Sequence, residues 1–147
     1  MNVNSLIYLM VFLPMAGAIV SYVTGRQSKK GRDKVVSVIA ILEFVLSILL
    51  VVNYAGAEGI LVEVPGVCGM GLSFTVDGFR AIYGSIAAFM WMMTAVFSTE
   101  YFAHYRNRNR YYLFQLITLG ATEAIFLSAD LYTTFIFFEV MSFASYV

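Results

Sequence analysis

Residues 5–54 read SLIYLMVFLPMAGAIVSYVT, then GRQSKKGRDK, then VVSVIAILEFVLSILLVVNY. Two apolar runs of 20 residues each, Ser5–Thr24 and Val35–Tyr54, flank a polar break at 25–34. A helix rising about 1.5 Å per residue needs roughly 20 residues to cross about 30 Å of hydrocarbon. Each run therefore predicts a membrane-spanning helix. The first run is not read as a cleaved leader. Met1–Asn4 carries no basic side chain, and five Lys/Arg follow the run, the reverse of a secretory signal.

Outward from there the same alternation continues. Further apolar runs cover 81–102, 111–128 and 131–147, the last ending before its span is complete. Apolar residues make up 61% of the chain and charged residues 12%, with mean hydropathy +0.81. A soluble domain carries about a quarter charged residues, and one of this size still needs a polar exterior. The expectation is an all-α membrane protein, one membrane domain over 1–147 with five transmembrane helices. The formal net charge is zero, which gives no basis for nucleic-acid binding. Cys68 stands alone, so no internal disulfide is possible, and it reads as a small apolar filler.

Orientation follows from the basic breaks. Segment 25–34 holds five Lys/Arg and segment 103–110 three Arg, whereas Arg80 alone is basic elsewhere. Short basic loops stay cytoplasmic. Five spans then place both basic loops inside, with 55–80 and Ala129-Asp130 outside. The chain is expected in the cell membrane, N-terminus outside and C-terminus cytoplasmic. His104, in a basic loop, reads as a solvated residue. Within 55–80, two β-branched runs flank Pro65-Gly66, and Leu72, Phe74 and Val76 alternate with Ser73, Thr75 and Asp77. That pattern predicts a small extracytoplasmic β-hairpin between the second and third spans. Asp77 is placed to cap the third helix.

The chemistry-bearing residues are carboxylates inside the spans: Glu43, Glu123 and Glu139, with no Lys or Arg inside any span. Each costs about 2.5–3.5 kcal/mol at the centre of a bilayer unless partnered or protonated. Such groups serve either as proton-path residues or as protonated packing contacts that fix helix assembly. Glu139 has the more polar company. Tyr132, Phe135, Glu139, Ser142 and Tyr146 recur at spacings of three and four, so they share one helix face. Gln115, Thr118, Thr122 and Glu123 do much the same on the fourth span. The short turn at Ala129-Asp130 predicts an antiparallel hairpin that brings Glu123 and Glu139 to nearly one depth, where they form a coupled pair or one hydrated path unless Glu123 faces a different neighbour and is simply protonated. Glu139 is the main proton-path candidate and Glu43 and Glu123 are weaker ones, with Ser142, Gln115 and Thr122 as supporting polar residues.

Four stretches carry a family resemblance: FLPMAGAIVSYVTGR (Phe12–Arg26), GLSFTVDGFRAIYG (Gly71–Gly84), FSTEYF (Phe97–Phe102) and FLSADLYTTFIFFEVMSFASYV (Phe126–Val147). They resemble the antiporter-like membrane subunits of respiratory complex I, of Mrp-type sodium/proton antiporters and of energy-converting hydrogenases. The resemblance implies that the chain corresponds to the N-terminal portion of a larger antiporter-like fold with inverted five-helix repeats. It implies that Glu139 matches the fifth-span glutamate, which in that family pairs with a lysine on a later helix. That lysine would come from further C-terminal helices or from a second chain. No role for Glu43 or Glu123 follows from it. The implied function is part of a proton- or sodium-translocating subunit of a redox-driven complex such as NADH:quinone oxidoreductase. Its partners would be other membrane subunits and the lipid bilayer. The sequence holds no phosphate loop, metal-ligand cluster or nucleophile constellation, so no cofactor is expected in this chain and redox chemistry is assigned to partner subunits. The alternatives are a structural membrane subunit that moves no ions, or a small independent transporter.

Overall fold

The computed structural model describes residues 2–54, 56, 58–66, 70–102 and 108–146. Cys68, His104 and Arg106 lie outside the described residues. Five helices and one hairpin follow in order: α1 (Val3–Gln27), α2 (Lys29–Tyr54), β1 (Ile60–Val64), β2 (Leu72–Val76), α3 (Gly78–Tyr101), α4 (Arg108–Leu127) and α5 (Leu131–Tyr146). Among them α1, α2 and α3 are long and apolar enough to cross a membrane. Large apolar side chains stand exposed along these three helices, among them Ile19, Val23, Val38, Val52, Ile86 and Phe97. Outward apolar surface of this kind suits lipid. The α5 helix has 16 residues, about 24 Å, which is short of a full span.

The polar break 25–34 was expected as a loop and is not one. Residues 25–27 complete α1 and residues 29–34 open α2, so only Ser28 stands outside a helix. Arg, Lys and Gln are good helix formers, so charge alone does not end a helix. Ser28 does: its backbone is extended (φ −148°), its N–H donates to the Thr24 carbonyl at 2.8 Å, and its hydroxyl accepts from the Gly31 N–H at 3.2 Å. The third helix likewise starts at Gly78, not Ala81, because Asp77 accepts from the Arg80 N–H at 2.8 Å.

Close approaches set how the helices run. A Cβ on Gly17 would collide with Ile39 of α2, so α1 and α2 fold back on each other across Ser28. A Cβ on Gly120 of α4 would meet the Val11 carbonyl oxygen at 2.7 Å and Pro14 at 3.1 Å, and one on Gly25 would meet Asn109. Hence α1 and α4 run antiparallel at backbone contact, the role small residues play in membrane helix packing. The α4 helix is the hub, packed on α1, α3 and α5.

The two ends of the bundle are chemically opposite. At one end Arg108 reaches Asp33 at 3.6 Å and Arg32 bonds Asn109, joining the two basic segments. At the other, β1 and β2 pair antiparallel with Ile60 opposite Val76 and Val64 opposite Leu72. The expected hairpin is therefore present, and it is tied to the α4–α5 turn. Ala129 N–H donates to the Ser73 carbonyl at 2.8 Å, and Ser73 N–H donates to the Thr133 hydroxyl at 2.9 Å. Arg80, paired to Asp77 at 3.1 Å, donates to the Phe126 and Ser128 carbonyls at the end of α4.

Candidate functional site: a buried carboxylate pair

Three inward helix faces meet in the bundle. On α2 the buried residues include Val36, Ala40, Glu43, Ser47 and Leu50; on α4 they include Tyr112, Leu116, Leu119, Glu123 and Leu127. The face of α3 is a stripe of small side chains, Ala81, Gly84, Ala88, Ala95 and Ser98. Spacings of three, four and seven put each set on one side of its helix.

The register of α2 against α4 is fixed at the basic end. The Arg32 guanidinium lies over the Tyr112 ring, 4.9 Å from its centroid. Eleven residues further on in each helix stand Glu43 and Glu123. Eleven residues are close to three full helical turns, so each glutamate returns to the face of its predecessor, about 16 Å deeper. The two helices run parallel, so the glutamates arrive at one level. Both residues are 0% exposed. None of their four carboxylate oxygens has a hydrogen-bond partner, and neither forms an ion pair among the described residues. The wall opposite Glu123 is Gly84, where an added Cβ would stand 2.9 Å from Oε2. Glycine leaves the room that this carboxyl occupies.

Two carboxylates in a low-dielectric interior without a cation cannot both carry charge, because each unpaired ion costs several kcal/mol. Such an arrangement can hold a proton. Elsewhere on α4, the Tyr112 hydroxyl and both polar atoms of Gln115 are also buried without hydrogen-bond partners among the described residues. Gln115 and Thr118 line a groove of about 740 Å³ that Trp91, Ala144 and Ser145 also border.

The sequence-predicted residues fall differently from expectation. Tyr132, Phe135, Glu139, Ser142 and Tyr146 do share a face of α5, but it is the outer one: Tyr132 is half-buried and the other four are exposed. Glu123 points toward Gly84 of α3, and not across the hairpin to Glu139. Equal depth did not mean equal facing. Thr122 donates its hydroxyl back to the Thr118 carbonyl at 2.8 Å and touches the Met141 sulfur at 3.7 Å, so it offers no proton to Glu123. Sequence reasoning missed Gly84 and the Arg32–Tyr112 register. The small-residue periodicity from Ala81 to Ser98 was a usable signal for the first.

No protein-family model and no curated protein matches this chain. Among solved structures, a chain of the membrane-bound sulfane sulfur reductase, an archaeal respiratory membrane complex, superposes with a TM-score of 0.80 at 22% identity over 95% of this chain. The likeness shows the fold. This chain spans 22% of the length of that one.

Proposed function

We propose that the chain is part of an antiporter-like, ion-translocating subunit of a redox-driven membrane complex, of the kind found in NADH:quinone oxidoreductase. The observation that carries this reading is the Glu43–Glu123 pair, buried and unpartnered inside a fold shared with a chain of a respiratory membrane complex. In this reading all five helices sit in the bilayer as one membrane domain, with the basic end in the cytoplasm and the hairpin outside. The coupled ion is a proton or sodium. The pair holds a proton between α2 and α4 and passes it on when a cation approaches. Glu139, exposed on α5, faces neighbouring membrane helices, and a lysine from further helices or a second chain completes its site. Electron transfer belongs to the partner subunits.

The test is ion pumping by the complete complex in sealed vesicles. Glu123→Gln and Glu43→Gln keep the shape of the side chain but carry no exchangeable carboxyl proton. Each is expected to leave assembly and uncoupled electron transfer intact while lowering redox-driven pumping by about tenfold or more. Full pumping by both variants in an assembled complex would favour the alternative, a structural subunit whose glutamates are packing contacts.

A further inference from the structure

At the basic end, Tyr22, Gly25, Arg26, Lys29, Arg32, Asn109 and Arg110 line a single concavity of about 440 Å³. We infer that it is a binding site for the phosphate headgroup of an anionic phospholipid. Four cations face this one hollow, and their charge is not balanced within it. Arg32 is 2% exposed and held in place: its Nε and Nη2 donate to Asp33 Oδ1 at 2.9 and 2.6 Å, and Nη1 donates to Asn109 Oδ1. The Asp33 carboxylate also takes Arg108, so it leaves the other cations uncompensated. Arg26, Lys29 and Arg110 are exposed and make no ion pair with a described residue. Gly25 forms the floor, where a Cβ would collide with Asn109 and Arg32.

Phosphate recognition is what a fork of guanidinium donors beside an ammonium does best. A lipid fits better than a free anion because of what borders the hollow. Ile19, Tyr22, Val23 and Arg26 recur at spacings of three and four, so they form one stripe along α1. Arg26 lies over the Tyr22 ring at 5.0 Å and bonds its hydroxyl at 3.2 Å, while Ile19 and Val23 below are exposed at 64% and 53%. A headgroup in the hollow would lay its acyl chains down that apolar track. The basic segments thus have a role beyond setting orientation, and it does not depend on ion translocation.

The experiment uses the purified full chain in detergent, titrated separately with phosphatidylglycerol, phosphatidylcholine and inorganic phosphate, and read by thermal unfolding and by native mass spectrometry. The wild type is expected to bind and be stabilised by phosphatidylglycerol, and far less by the other two. Lys29→Gln with Arg110→Gln removes two exposed cations of the hollow and should weaken phosphatidylglycerol binding roughly thirtyfold, at about 1 kcal/mol per cation near a lipid surface. Lys30→Gln with Lys34→Gln removes the same charge from exposed positions that do not line the hollow, and should leave binding nearly unchanged. The inference is overturned if phosphatidylcholine stabilises equally, if inorganic phosphate alone reproduces the effect, or if both double variants bind alike.

Discussion

A glutamate in an apolar run announces itself by its cost, and all three were legible as residues needing an explanation. Their facing was not. Around Glu43 only Ser47, four residues on, is polar on the same buried face of α2, too short a stripe to mark which face turns inward. On α5 the polar residues did form a stripe, and that stripe faces outward. Inside a bilayer the usual inference from polar to exposed, and from apolar to buried, loses its force because lipid accepts apolar surface anywhere. Gly84 gives the residue-scale prediction. Gly84→Leu should overpack the site and cost about 1–3 kcal/mol, since its side chain must enter the space held by the Glu123 carboxyl. Adding Glu123→Ala to it should recover most of that loss. Thermal unfolding of the two single variants and the double would show it, and additive losses would mean the two side chains do not share that space.

Element existence was readable from run lengths near 20 residues, while element ends were decided by single polar contacts. Ser28 alone interrupts what would otherwise be one continuous helical stretch, and nothing in the charge count of 25–34 distinguishes it. The hairpin was legible because alternation and Pro65-Gly66 coincide. Its attachment to the α4–α5 turn was not, since that rests on long-range hydrogen bonds, from the Ala129 N–H to the Ser73 carbonyl and from the Ser73 N–H to the Thr133 hydroxyl. Asp130 opens α5 by accepting from the Thr133 N–H at 2.7 Å, and bonds from the Thr133 side chain and backbone hold its carboxyl below the usual Asp value of about 3.9. A depressed folded-state value stabilises above the unfolded one and is lost as pH falls through the folded one. Thermal unfolding of the wild type should therefore lose an increment below about pH 4. Asp130→Asn, which keeps the acceptor but not the charge, should lack that increment. Identical acid profiles would remove the role of the charge.

For the molecule as a whole, the alternation of basic and neutral connections correctly grouped the ends: segments 25–34 and 108–110 meet at one end, and the hairpin and the α4–α5 turn meet at the other. Which end faces the cytoplasm is a prediction from Lys/Arg asymmetry. In a Cys68→Ser background, a cysteine placed at Ser28 should react with an impermeant maleimide only after cells are opened, and one at Glu63 should react in intact cells. The reverse pattern would invert the topology. The central claim is that Glu43 and Glu123 together hold an exchangeable proton in the middle of the bundle. Infrared difference spectroscopy of the purified chain on transfer from light to heavy water reads protonated carboxyls directly, through their C=O stretch. The wild type should show a deuterium-sensitive band from the pair, altered in Glu43→Gln and in Glu123→Gln and absent from the double variant. A spectrum unchanged in the double variant would contradict the account.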